Sequence, residues 1–395
     1  WTMQNNFKTV LETIVSGKLK VVPLISKQVA FEKYEEIYSD LKNPNIIAAL
    51  MKYSESKPDI QRTISSESPH PSPISNPTVG CIGSGNFTSA IILPSLKKAG
   101  ARVKVLCSAK GLSSAIQARR FSIPVVTTDS DVVLNDADVT MVVISTPHNS
   151  HAGLVVDALK ANKHVFVEKP LAISREQLAN VVRANKNSKG SVMVGYNRRF
   201  SSFTKQIKAK LIEASVPLNL VMTINAGAIP NSHWTQDMNV GGGRILGEGC
   251  HFIDLAIHLT GSLVESVSAS HLGNDTDIAS DNVMITLKHR NGSQTSINYL
   301  ANGSKMYSKE RIEIYQNGRT LVLDNWRLLS GFGYKRFTKL KGRQDKGHAE
   351  QFKEWTASVK KGGQPLIPFD ELINGTSATL AVLESIASMT WVRLG

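Results

Sequence analysis

Cysteine is scarce: the 395 residues carry three, Cys81, Cys107 and Cys250. They lie far apart, match no zinc spacing, and two fall in apolar strand-like runs. Packed, reduced thiols are expected, not a disulfide framework or a metal site. Aromatic residues make up only 6%, and no basic run is interleaved with them. That argues against a binder of single-stranded nucleic acid. No apolar run approaches the ~20 residues of a membrane span, and no secretory signal is visible. A cytoplasmic protein with no membrane or specific nucleic-acid partner is the expectation. Acids are in the minority: 46 Lys+Arg face 32 Asp+Glu, a net charge of +14. The basic residues are scattered, giving a solvated surface that attracts phosphorylated cofactors or nucleotide sugars. The first residue is Trp1, not Met, so a start further upstream is expected.

What is present is length and rhythm. The chain is 41% hydrophobic and long enough for two domains with proper cores. Residues 55–77 are rich in Ser and Pro, a linker composition that sets off a short N-terminal piece, 1–54. That piece reads as a helix over 7–16, a strand over 19–25 and a helix over 31–41. After the linker, strands alternate with helices over 78–196, the pattern of a parallel, doubly wound sheet. The fully apolar run 139–145 should be its central strand. Beyond it the rhythm becomes strand after strand: 218–226, 263–270, 283–288, 294–299, 311–315 and 320–324. Asn291-Gly292 and Asn317-Gly318 are hairpin signals. Helices near 201–213, 250–259, 348–359 and 370–389 should cover one face. The expected fold is an α/β Rossmann domain followed by an α+β domain, 197–395, with a large, mostly antiparallel open sheet.

Gly80-x-x-Gly83-x-Gly85 leads from the first strand of that alternating region into a helix through Asn86 and Phe87. Glycines allow a tight turn and a close backbone approach to a pyrophosphate, and the helix N-terminus supplies N–H groups to the anion. The third motif position, commonly Gly or Ala, is Thr88, which should loosen the strand–helix packing slightly. The second strand should end at the residue that reads the ribose. An acid there marks NAD, but here the positions are Cys107-Ser108-Ala109-Lys110. Ser108 and Lys110 suit a 2′-phosphate, so NADP is favoured slightly over NAD.

Candidate chemistry clusters in four segments: Ser145-Thr146-Pro147-His148-Asn149-Ser150-His151, Glu168-Lys169-Pro170, Gly195-Tyr196-Asn197-Arg198-Arg199-Phe200, and Gly241 through Asp254. The first three follow apolar strands, at the end of the sheet where cofactors bind. His148 and His151 lack a third residue at metal spacing, so strand-end capping and cofactor packing are expected for them. Arg198, Arg199 and Arg244 could clamp a phosphate or carboxylate, and Trp234, after His233, could stack on a sugar or base.

On these motifs, residues from about 78 to the C-terminus resemble the Gfo/Idh/MocA oxidoreductase family. Glu168-Lys169-Pro170 and the Gly241-Gly242-Gly243…His251…Asp254 segment carry the resemblance most specifically. It implies a catalytic lysine at Lys169, a nicotinamide-end contact at Glu168, and a histidine beside the reacting carbon at His251. It places Gly83, Gly85, Asn86, Phe87, Thr146, Pro147, His151 and Asn197 with Ser108 and Lys110 around the cofactor. The family usually has an aspartate four residues before the histidine; here that position is Gly247 and its neighbour is Glu248. Either Glu248 substitutes, or Lys169 and His251 work without a carboxylate. Residues 1–54 resemble the C-terminal end of medium-chain, zinc-type alcohol dehydrogenases, through Ser16-Gly17-Lys18-Leu19, Pro23-Leu24-Ile25-Ser26 and the run from Phe31 to Tyr38. The implied activity is NAD(P)-dependent hydride transfer on a sugar or nucleotide sugar, tied to polysaccharide metabolism by the upstream fusion. The alternatives are glycoside cleavage or epimerisation through transient oxidation, and a non-catalytic cofactor sensor. Pairing of open sheets implies a homo-oligomer.

Overall fold

The structure is a computed structural model that describes residues 2–40, 42–53, 61–65, 77–273 and 280–395. The chain divides into two compact units, 1–61 and 62–395.

The first unit holds a helix, Met3–Val15, and two parallel strands, β1 (Ile25–Ala30) and β2 (Ala48–Lys52). The strand expected over 19–25 forms later: 22–24 make a helical turn around Pro23, and β1 starts at Ile25. The helix expected over 31–41 is reduced to two short turns. Among the described residues of this unit only Val29 and Ile37 are buried hydrophobics, whereas Phe7, Leu11, Val15, Tyr38 and Tyr53 are exposed. So short a segment cannot enclose a core of its own.

The second unit begins with a strand inside the stretch read as linker. β3 (Thr63–Ser65) pairs antiparallel with β6 (Val125–Thr127) at the edge of a seven-stranded sheet. The others are β4 (Thr78–Ile82), β5 (Arg102–Cys107), β7 (Met141–Ile144), β8 (His164–Val167) and β9 (Val192–Val194). Their order is β3-β6-β5-β4-β7-β8-β9, parallel from β6 to β9. Met141, Val142, Val143 and Ile144 are 0% exposed. Each such side chain contributes about 1.5–3 kcal/mol of burial, which holds β7 at the centre. After β4 the chain makes a wide turn in which Leu93 N–H reaches back five residues to Thr88 O. Pro94 follows; it has no N–H to donate, so the helix is interrupted at its entry.

The second sheet has nine strands in the order β17-β16-β15-β14-β10-β13-β12-β11-β18. They are β10 (Asn219–Asn225), β11 (Val264–His271), β12 (Val283–His289), β13 (Gln294–Leu300), β14 (Glu310–Gln316), β15 (Arg319–Asp324), β16 (Leu328–Phe332), β17 (Lys339–Lys341) and β18 (Val392–Arg393). Only the β10–β13 pair is parallel. Asn317 and Gly318 take φ of 49° and 73° between β14 and β15, the left-handed pair a two-residue hairpin demands. β12 alternates buried and exposed along its length, so one face is open. The other face packs on helices Cys250–Thr260 and Phe369–Ser388 through Phe252, Ile253, Ile257, Ala378 and Val382. The three cysteines are free and buried. Burial pushes Cys81 and Cys250 up to about 12.

Candidate active site

At the carboxyl end of the first sheet a cleft of about 520 Å³ opens between the two domains. Its size suits a small ligand site. One wall is the glycine-rich turn. Gly83 sits at φ +112°, and a Cβ there would lie 2.6 Å from the Ser145 carbonyl oxygen. Glycine is therefore required where β4 passes the end of β7. A Cβ at Gly85 would meet nothing within 4 Å, so the outer backbone face is clear for a close approach. Thr88 does not loosen the packing as expected: it is buried, and its Oγ1 lies 2.8 Å from Ser145 Oγ. An open glycine face at the entry of a helix fits a dinucleotide's pyrophosphate. Ser108 Oγ donates to Ser114 Oγ at 3.0 Å, and Lys110 is exposed.

β8 ends at Val167, followed by Glu168, Lys169 and a cis bond to Pro170. Lys169 Nζ donates to Gly247 O at 2.7 Å. Gly247 lies in a second wide turn, in which Cys250 N–H reaches Ile245 O just before helix Cys250–Thr260. Wide turns of this kind concentrate at functional sites. That helix delivers His251 to the same cleft. His251 is 7% exposed and its Nδ1 has no hydrogen-bond partner among the described residues. Burial, then the nearby cations Arg198 and Lys169, push it well below the ordinary histidine range. Burial raises Glu168 to about 7 against the pull of Lys169.

His151 lines the cleft, but its Nδ1 lies 2.8 Å from Pro170 O and its Nε2 2.9 Å from Thr146 O. The ring thus ties the segment after β7 to the segment after β8 instead of offering a free nitrogen to a cofactor. Pro147 leads into the turn His148–Ser150, and Thr146 Oγ1 meets Ser150 Oγ at 2.7 Å. Asn197 also lines the cleft and donates to Lys346 O at 2.7 Å. Phe87 stands edge-on to His348.

The charged residues are arranged differently from the expectation. Glu248 accepts from Tyr299 Oη at 2.7 Å, Lys309 Nζ at 2.9 Å and Arg244 Nη2 at 3.0 Å. Burial alone would raise this carboxyl, but Lys309, Tyr299 and Arg244 hold it down to about 2. No hydrogen bond among the described residues joins it to Lys169 or His251, so its carboxylate is committed elsewhere. Arg244 is further taken by Gly227 O and Asp281. Arg198 Nε and Nη2 bind both oxygens of Glu310, which also accepts from Trp326 and Lys346. Both arginines line the cleft with their charge already met by protein acids. Trp234 is 43% exposed at the rim and packs edge-on against His148. Asp254 pairs with Arg199. Lys346 and His348 line the cleft and were missed. Both belong to the run Asp345-Lys346-Gly347-His348, whose polar residues before a glycine could have flagged a loop at a site. Among the described residues no cluster could hold a metal ion, and no helix is long and apolar enough to cross a membrane.

A Rossmann sheet facing an open antiparallel sheet, with a lysine and a histidine meeting in the cleft between them, defines a two-domain NAD(P)-type oxidoreductase. The chain belongs to the Gfo/Idh/MocA oxidoreductase family. Residues 78–196 match its NAD-binding Rossmann fold and 217–321 match its C-terminal domain, together more than half of the chain. Inositol 2-dehydrogenase of Rhizobium meliloti is 25% identical over 249 residues, 59% of this chain and 74% of that protein. Myo-inositol 2-dehydrogenase of Thermotoga maritima is 26% identical over 258 residues, 60% and 75% of the two chains. A solved levoglucosan dehydrogenase, in complex with NADH and levoglucosan, superposes with a TM-score of 0.70 at 23% identity. It covers 80% of this chain and 99% of its own.

Proposed function

We propose that this chain is an NAD(P)-dependent dehydrogenase or reductase acting on a secondary alcohol or ketone of a sugar, cyclitol or nucleotide sugar. The observation that carries the reading is the meeting of Lys169 and His251 in one cleft, with His251 Nδ1 unpartnered among the described residues. The inositol and levoglucosan dehydrogenases named above support the substrate class. Gly83, Gly85, Asn86 and Phe87 would hold the pyrophosphate, and Ser108 and Lys110 the adenosine ribose. Thr146, Pro147, Glu168 and Asn197 would border the nicotinamide, with His151 fixing the loops between them. The bound nicotinamide would accept or return the hydride.

Lys169 is the proton donor or acceptor for the reacting oxygen. Its bond to Gly247 O orients Nζ without neutralising it, since a carbonyl is a weaker partner than a carboxylate. His251, kept neutral by burial, offers the reacting oxygen a hydrogen bond or passes the proton on. Glu248 stays ionised and fixes Arg244, Lys309 and Tyr299 at the substrate end. A positioned acid–base group of this type contributes about 10²–10⁴-fold to the rate. The open face of the nine-stranded sheet, where Met284 and Tyr315 are exposed, suits self-association. Residues 1–54 carry none of this chemistry; their exposed apolar side chains suit packing on a fused dehydrogenase-type domain.

The test is a matrix of NAD⁺ and NADP⁺ against myo-inositol, levoglucosan and UDP-sugars, read as nicotinamide absorbance. Turnover with at least one polyol is expected. Lys110→Ala should weaken NADP⁺ about fivefold more than NAD⁺, the loss of one exposed ion pair. Cofactor binding without turnover across the matrix would leave the sensor reading in its place.

A further inference from the structure

His148 stands where the cleft lacks a side chain. An ideal Cβ on Gly247 would lie 2.9 Å from His148 Cε1, so the imidazole fills the space in which a longer residue at 247 would begin. His148 is 5% exposed and lines the cleft beside Lys169 and His251.

Its hydrogen bonding settles its tautomer. Nδ1 lies 2.7 Å from Gly241 O. A carbonyl can only accept, so Nδ1 carries the proton and Nε2 presents a lone pair. No protein donor among the described residues reaches Nε2. The ring is held on two sides, by Trp234 at 4.6 Å and His151 at 5.6 Å between centroids. A rigidly held acceptor that meets no protein donor, on the wall of a ligand cleft, is placed to receive one from a ligand.

We propose that His148 takes the place of the absent side chain at position 247 and accepts, through Nε2, a hydrogen bond from a hydroxyl of the bound polyol, positioning the reacting carbon for Lys169 and His251. This rests on the polyol reading above. The acceptor is neutral, since burial pushes His148 down to about 3 despite the bond to Gly241 O. It therefore adds no negative charge beside Lys169, as a carboxylate at 247 would.

The experiment uses the full chain saturated with NADH, with myo-inositol and levoglucosan as probes. Binding is followed by calorimetry and by the histidine ring nitrogens of ¹⁵N-labelled protein. Polyol addition should shift the His148 Nε2 resonance and leave Nδ1 in place. His148→Phe keeps the ring's size but removes Nε2 together with the Nδ1 bond to Gly241 O, and His148→Asn, whose amide can still donate to Gly241 O, removes Nε2 alone. Each should weaken polyol binding about tenfold, the loss of one hydrogen bond, with NADH affinity within about twofold of the parent. Where turnover is measured, KM should rise more than kcat falls. His148→Ala with Gly247→Asp should recover part of the affinity lost in His148→Ala. If the parent binds the polyol while His148→Phe or His148→Asn binds it equally well, or Nε2 does not shift, the His148 assignment is overturned and the polyol reading stands. If the parent binds neither polyol, both fall together.

Discussion

Glu310→Gln removes one charge and almost no volume from a carboxylate that is 1% exposed. Glu310 accepts from Arg198 Nε at 2.9 Å, Arg198 Nη2 at 2.8 Å, Trp326 Nε1 at 2.6 Å and Lys346 Nζ at 2.6 Å. The amide keeps one acceptor oxygen, but its NH₂ faces donors. Two cations lining the cleft lose their counter-charge. Breaking a buried ion pair from one side costs about 3–5 kcal/mol, because the partner stays buried and uncompensated. At about 2–4 °C per kcal/mol for domains of this size, the melting temperature should fall by about 6–20 °C. Acid should narrow the gap. Arg198 and Lys346 depress Glu310 against its burial, so its contribution is present above the unfolded carboxylate value and is lost as pH falls through the folded one. The assay is calorimetric melting of parent and variant from pH 8 down to pH 3. Replacing both partners, Glu310→Gln with Arg198→Met, should recover much of the loss. A Glu310→Gln variant that melts within about 2 °C of the parent at pH 8 would refute the claim that this carboxylate holds the cleft's cations.

Three other outcomes follow from the geometry. Gly83→Ala places a Cβ 2.6 Å from Ser145 O at a left-handed φ, so NADH affinity measured by fluorescence should drop at least about tenfold; unchanged affinity would remove this turn from the cofactor site. Glu168 has its folded value raised by burial to about 7 from an ordinary 4.5. Its stability contribution is fully present below about pH 4.5 and lost as pH rises through 7, so the cofactor-free Glu168→Gln variant should gain melting temperature on the parent across that window, and a pH-independent difference would contradict the raised value. Glu248→Gln should lower stability and raise KM while leaving the shape of the pH–rate profile intact, since Glu248 is held ionised by Lys309, Tyr299 and Arg244; loss of a limb of that profile would return it to the proton path.

The two-domain fold was legible because its signals are local and periodic. The uninterrupted apolar run around β7 could only be a strand buried on both faces, and Asn317-Gly318 could only favour a hairpin. Strand β3 was hidden in a Ser/Pro-rich stretch, because an edge strand needs only one partner, β6, and little hydrophobicity. In the site, Lys169 and His251 were read from their motifs. Whether Glu248 substitutes for the aspartate could not be read from the sequence, because its partners, Tyr299 and Lys309, lie 51 and 61 residues downstream, where no spacing reports them. Arg198 looked like an anion clamp for the same reason, with Glu310 out of sight 112 residues away. His148 was read as strand-end capping and cofactor packing; the space it fills against Gly247 becomes visible only in the fold.

The central claim is that Lys169 moves the proton while the rest of the cleft binds. It is tested most directly by single-turnover hydride transfer in Lys169→Ala, with NADH affinity measured on the same preparation. The account predicts NADH binding within about twofold of the parent and a transfer rate lower by about 10²–10⁴-fold. Transfer at the parental rate would contradict it.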